Sequence, residues 1–195
     1  MALHEQIQQF SQPLAPGTPL QIVPLFLLPG VHVMEDIPQQ VRIAQQHVQT
    51  ELILMPHLGS NPELGTLLVR RIERIASPKI LLSHGSRRSN GNRVVEILAH
   101  QLNALPAFWS VAPSLVDRIE ELSQQRCQEI AILPYFLFAG RMTDAIATQV
   151  NHLCQYYDHL KLELLTPIEV SDDLVDLIVK FLSVQPRSDL VIPLR

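Results

Sequence analysis

Two of the eight histidines stand where an apolar run gives way to a turn. His32 closes the run Val23-Pro24-Leu25-Phe26-Leu27-Leu28-Pro29-Gly30-Val31-His32, with Glu35 and Asp36 just beyond it. His84 lies in Leu81-Leu82-Ser83-His84-Gly85-Ser86-Arg87-Arg88. A neutral imidazole offers a lone pair that binds a divalent transition metal weakly or accepts a proton near neutral pH. Carboxylates a few residues away polarise such a ring or share its ligand, and Gly30 frees the backbone to turn sharply before it. Around His84, the small residues Ser83, Gly85 and Ser86 lead into a predicted helix, whose free N–H groups attract carboxylates or phosphates. Arg87 and Arg88 add charge-assisted pairs for the same anions. Each feature also has a plainer account: a histidine after a strand can simply bond a neighbouring carbonyl, and acidic residues suit a first helical turn through the macrodipole. His57, in Met55-Pro56-His57-Leu58-Gly59, follows an apolar run without an acidic companion, whereas His4, His47, His100, His152 and His159 fall on stretches read as solvent-facing helices.

The elements that must position these side chains alternate short apolar runs with segments of helical period, the pattern of parallel strands joined by crossover helices. The class is therefore α/β. Strands are predicted over 20–28, 51–55, 79–83, 107–111, 129–137 and 161–165. Asp36-Ile37-Pro38 predicts a helix start with an acidic cap and an early proline, continuing through Val41, Ala44 and His47, and Asn61-Pro62-Glu63 predicts another. In an open parallel sheet the loops beyond the carboxyl ends of the strands form the binding edge, which is where both His32 and His84 fall. Two imidazoles on the functional edges of two related modules could face one cleft.

The two modules emerge from an internal repeat at a constant offset of 110 residues. Ile22, Pro24, Phe26 and Gly30 match Ile132, Pro134, Phe136 and Gly140, while Leu64, Leu67, Leu68 and Ile72 match Leu174, Leu177, Ile178 and Leu182. The repeat predicts tandem modules over 1–77 and 78–195, the first lacking counterparts of the 79–83 strand, the His84 loop, the following helix and the next strand. Its 20–28 strand would then have an exposed edge, which predicts homodimerisation or partial disorder of the first module.

With 195 residues, an apolar fraction of 47% and a formal charge of -4, the chain is sized and composed for buried cores and shows no basic footprint for nucleic acid. The N-terminal stretch lacks the basic start and long apolar segment of a signal peptide or membrane span. Cys127 and Cys154 have no metal-type spacing and read as core or surface thiols in a reducing compartment, so the cytoplasm is expected. No phosphate loop, GxGxxG, His-Glu-x-x-His or Gly-x-Ser-x-Gly is present.

The ordered set of Pro24 to Val33 with Asp36-Ile37-Pro38, then Ser83-His84-Gly85-Ser86-Arg87, then Pro134 to Arg141 resembles the sirohydrochlorin chelatases of the CbiX/SirB type over nearly the whole chain. The resemblance implies chelatase-like doubly wound parallel sheets and insertion of Co(II) or Fe(II) into sirohydrochlorin, on the way to cobalamin or sirohaem. The metal would be a substrate, with no permanently bound cofactor. In that family one histidine of the His-Gly-Ser loop and one of the Gly-x-His turn bind the metal and help remove pyrrole protons; short members pair as homodimers and long members carry two modules. The matching positions are His84 and His32, with Glu35 or Asp36 as auxiliary proton acceptor, and Ser83, Gly85, Ser86, Arg87, Arg88 and Arg141 toward the carboxylates of the tetrapyrrole. The chain departs from the pattern in two places: the first module has no His-Gly-Ser loop, and the second carries Met142 at the Gly-x-His position. Two alternatives stand beside catalysis: a non-catalytic carrier of a tetrapyrrole or metal, and a natural product longer than the given sequence, which would start at an internal methionine.

Overall fold

The structure, a computed structural model, describes residues 1–15 and 17–183 and forms two compact units. One comprises Met1–Pro62 together with the C-terminal segment from Asp176, and the other comprises Glu63–Val175. Residues 184–195, assigned to the second sequence module, lie outside the described residues.

In the first unit α1 (Leu3–Ser11) precedes β1 (Leu20–Ile22), α2 (Ile37–Gln45) and β2 (Leu52–Leu54). The two strands pair in parallel, Leu20 opposite Leu52 and Ile22 opposite Leu54. Ile7 from α1, Val41 and Ala44 from α2, and Leu52 and Leu54 from β2 form its core. Helical period explains that face, since Val41 and Ala44 are three residues apart and both fully buried. The outer edge of β2 is covered by Gln45, whose Oε1 accepts Leu52 N–H at 2.8 Å while its Nε2 donates to Thr50 O at 3.0 Å. The strand predicted over 20–28 stops at Ile22. Pro24 and Pro29 have no N–H to donate to a ladder, so the segment between them leaves the sheet.

The second unit holds α3 (Pro62–Ile72) from Glu63 on, β3 (Lys79–Ser83), α4 (Arg93–Gln101), β4 (Ala104–Phe108), α5 (Leu115–Gln124), β5 (Glu129–Pro134), α6 (Arg141–Tyr156) and β6 (Lys161–Leu164). Its four strands are all parallel in the order β4-β3-β5-β6. Ile80 and Leu82 of β3 and Ile130 and Ile132 of β5 meet Leu115, Ile119 and Leu122 of α5 and Ile146 and Val150 of α6 in one core. The near-continuous apolar run of β3 reflects burial on both faces, with four of its five residues buried. Cys127 and Cys154, read from sequence as core or surface thiols, are free and pack partly buried against this core. α4 buries Val95, Leu98 and Ala99. β4 begins three residues earlier than predicted, at Ala104.

The units are cut differently from the sequence repeat. α3 is counted almost wholly with the second unit, where a Cβ on Gly65 would meet Leu98 and Gln101 of α4, and the helix α7 (Asp172–Ser183) crosses the division at Asp176. The elements nevertheless fall at the offset of 110: β1 against the middle of β5, β2 within β6, and α3 against α7.

Candidate functional site

The loop that delivers His32 leaves β1 at Val23 and is stapled to the turn after β2. Leu58 N–H donates to Pro24 O and Gly59 N–H to Phe26 O, both at 2.9 Å. Leu27 is buried beneath this crossing, so close to Gly59 that a Cβ there would lie 1.9 Å from Leu27 O. Gly30, by contrast, has open space around it and no left-handed φ, so the turn before His32 does not demand a glycine.

Beyond Gly30 the chain enters a π-helical turn, His32–Asp36, that runs directly into α2. Such turns are rare and often mark functional sites. Asp36 has helical φ and ψ and makes no capping bond, so the expected acidic cap is corrected: its carboxylate is used elsewhere. Asp36 Oδ2 lies 2.6 Å from His32 Nδ1. A carboxylate can only accept, so in the neutral ring Nδ1 carries the proton and Nε2 carries the lone pair. Both side chains are more than half exposed, at 75% and 52%, which keeps the lone pair open to a ligand. Glu35 is exposed on the same turn. The ring of Phe26 stands 6.4 Å from that of His32, tilted by 43°, and Leu25, Val31 and Met34 expose further apolar surface on this segment.

His57 starts the turn after β2 and is half-buried, and burial holds its pKa below the ordinary 6.5. The folded chain therefore binds fewer protons than the unfolded chain once pH drops toward that value. Its contribution to stability is present above pH 6.5 and is lost as pH falls through the lower folded value. We expect Tm of His57→Gln to decline less than wild type over this acid limb, read by calorimetry at a series of pH values.

In the second unit β3 ends at Ser83 and releases His84 to solvent. The loop after β4 braces this point: Trp109 N–H donates to Ser83 O at 2.9 Å, and Ser110 donates to His84 O from N–H at 3.0 Å and from Oγ at 2.9 Å. Gly85 adopts φ +83° with Phe108 and Val111 packed where a Cβ would stand. His84 Nδ1 lies 3.0 Å from Gly85 O, so this ring also carries its proton on Nδ1 and presents Nε2. The plainer reading of a histidine after a strand thus holds for one nitrogen of the ring, and it leaves the other available.

Two expectations for this loop are corrected. The helix starts at Arg93 instead of following Ser86, and Ser86 N–H is taken by Asn92 Oδ1 at 2.7 Å and Arg88 N–H by Ser86 Oγ at 3.2 Å. These donors are satisfied within the loop. Ser83 is fully buried, so its side chain does not present itself to a ligand; its Oγ has no hydrogen-bond partner among the described residues. Removing an unpartnered buried hydroxyl removes a desolvation cost and no bond. Ser83→Ala is accordingly expected to keep or raise Tm, and a fall beyond about 3 °C, roughly 1 kcal/mol for a chain of this size, would reveal a hidden partner.

Arg87 and Arg88 are exposed on the His84 loop, and Arg141 is exposed at the start of α6. Met142, at the repeat position of His32, packs against the hydrophobic core of the second unit. His4 is half-buried and bonds Gln40 Oε1 at 2.7 Å, and His47 and His159 lie in turns, not helices. Among the described residues no three His, Cys, Asp or Glu side chains group as a metal site, so the strongest donor set is the His32–Asp36 pair. Sequence reasoning missed Asn92 and Ser110, whose signal was only their place in polar loops.

The parallel sheets are those of an α/β protein, in which loops beyond the carboxyl ends of strands form the binding edge, and a bare imidazole nitrogen there suits a metal held loosely. The CbiX family model matches residues 3–75 and 78–183, and the chain belongs to that family. It is 25% identical over 152 residues to a sirohydrochlorin ferrochelatase of Priestia megaterium and 26% over 151 residues to one of Bacillus subtilis (strain 168), in each case over 70% of this chain. It spans 57% and 58% of the length of those relatives. SirB from Bacillus subtilis with Fe3+ superposes with a TM-score of 0.70 at 20% identity, over 86% of this chain and 71% of SirB. The sirohydrochlorin chelatase SirB of the subspecies spizizenii, in complex with cobalt, gives 0.69 at 19% identity, over 93% and 74%. The likeness establishes a chelatase-like α/β fold.

Proposed function

We propose that the protein is a metal chelatase that inserts Co(II) or Fe(II) into sirohydrochlorin. The observation that carries this reading is the His32–Asp36 pair at 2.6 Å, on a π-helical turn within a segment matched by the CbiX family. Insertion replaces two pyrrole N–H protons by one divalent ion, so the site needs a ligand that releases the metal and a base that takes protons. A neutral imidazole nitrogen meets both needs. His32 Nε2 docks the ion or accepts a pyrrole proton, and the Asp36 carboxylate stabilises the imidazolium that results. His84 offers a second Nε2 for the same chemistry, with Glu35 as auxiliary acceptor. Arg87, Arg88 and Arg141 pair with the peripheral carboxylates of the macrocycle. The names of the relatives, which carry iron and cobalt, support either ion.

The experiment is anaerobic mixing of purified protein with sirohydrochlorin and Co(II) or Fe(II), following the visible spectrum. Metallation faster than the spontaneous reaction supports the proposal. Tetrapyrrole binding with no acceleration would instead support a carrier, the reading favoured by the core-packed Met142. Absence of binding would remove both.

We further propose that the chain comprises duplicated modules, 1–77 and 78–195, works in the cytoplasm and forms a homodimer. Two free cysteines support a reducing compartment, and among the described residues no helix is long and apolar enough to cross a membrane. The dimer is supported by β1, which among the described residues pairs on one side only, whereas β5 at the same repeat position has neighbours on both sides. Light scattering after gel filtration should give about twice the 22.0 kDa chain mass, and a monomer at micromolar concentration would overturn it.

A further inference from the structure

The two exposed imidazoles obtain the same tautomer by different means. His32 has a carboxylate on Nδ1, whereas the nearest acceptor of His84 Nδ1 is the carbonyl of the next residue, Gly85, at 3.0 Å. That carbonyl belongs to the peptide unit joining Gly85 to Ser86, and the N–H of the same unit donates to Asn92 Oδ1 at 2.7 Å. Asn92 is itself held by a second bond, Nδ2 to Ser86 O at 3.1 Å. The two bonds fix which end of the amide is oxygen, because the reverse orientation would set N–H against N–H and oxygen against oxygen.

We propose that Asn92 is a positioning residue for His84, acting through the Gly85–Ser86 peptide to hold the ring with Nδ1 protonated and Nε2 bare. One planar peptide is gripped at its N–H by Asn92 and at its C=O by the imidazole, so rotating that peptide requires breaking both bonds. Hydrogen bonds in such a chain polarise and strengthen one another. The rest of the loop leaves the peptide little freedom. Gly85 is confined at φ +83°, Ser110 fixes the preceding carbonyl with two donors, and Gly91 packs where a Cβ would meet Ser86 Oγ at 2.4 Å. Asn92 thereby does at a distance of one peptide what Asp36 does directly for His32.

The inference rests on His84 being a working ligand in the proposed chelatase, and its primary test does not depend on metallation. Long-range 1H–15N correlation spectra of the metal-free, 15N-labelled full chain report which imidazole nitrogen of His84 carries the proton, with His84→Gln supplying the assignment. Wild type is expected to show Nδ1–H. Asn92→Ala should shift the population toward Nε2–H, the form preferred by a free imidazole. Asn92→Asp retains an acceptor for Ser86 N–H but loses the bond to Ser86 O and sets an oxygen against it, so it should shift toward Nε2–H less than Asn92→Ala does, and it serves as the working variant where the alanine form does not fold. Metallation by Asn92→Ala should then fall roughly 10-fold in kcat with little change in KM for the tetrapyrrole. A wild-type ring already protonated at Nε2, or an unchanged tautomer in Asn92→Ala, would overturn the proposal. A tautomer shift in a protein that never metallates would leave the positioning role intact and remove the chelatase reading alone.

Discussion

Replacing His32 by alanine should slow metallation of sirohydrochlorin by at least about 100-fold, the usual worth of a positioned proton acceptor, with more lost where metal docking fails as well. Asp36→Asn is the sharper variant. It preserves the shape of the side chain but substitutes an amide that can turn an N–H toward the ring, so the Nδ1–H tautomer is no longer enforced. A loss of about 10–100-fold is expected from the orienting role alone. The pair is well exposed, and exposed ion pairs contribute about 0–1 kcal/mol to folding, so Tm of Asp36→Asn should stay near wild type. Anaerobic single-turnover kinetics beside calorimetry separate the two effects. A rate for His32→Ala within twofold of wild type would remove His32 from the chemistry.

The largest stability effect is expected at Gly59. Its alanine Cβ would stand 1.9 Å from the backbone oxygen of Leu27, which is no flexible side-chain tip that can swing aside. The two segments must separate, weakening the bonds from Leu58 N–H to Pro24 O and from Gly59 N–H to Phe26 O. Overpacking costs about 1–3 kcal/mol and each hydrogen bond about 1 kcal/mol, so Gly59→Ala should lose about 3 kcal/mol or more. Tm should then fall by about 6–12 °C. Because the same crossing carries the chain to His32, metallation should suffer with it. Gly30→Ala is the matched control: with open space and an ordinary φ it should leave Tm unchanged or slightly raised, since alanine restricts the unfolded chain. Equal effects of the two substitutions would refute the assigned roles of both glycines.

This contrast shows where sequence reasoning reached and where it stopped. Lys79–Ser83 was predicted to its exact ends because a strand buried on both faces writes a continuous apolar run. The run from Val23 to Leu28 is just as apolar, yet it is loop, because Pro24 lacks a ladder donor and the carbonyls of Pro24 and Phe26 are taken by the turn after β2. That partner lies some thirty residues along the chain. Gly30 stands beside His32 in sequence and has open space around it, while Gly59, far from His32 in sequence, has no room for a Cβ.

Residue types and their spacing by themselves determined the α/β class, the repeated pattern at an offset of 110, and the imidazoles beyond strand ends. Each is written in local period or motif, which the chain carries without folding. The tertiary structure alone decided that Asp36 serves His32 instead of capping a helix, that Ser83 is sealed inside, and that Asn92 reaches His84 through a peptide. Those outcomes depend on directions of side chains and on which backbone donors are already taken. Spacing along a sequence does not encode such directions until packing and hydrogen bonding fix them.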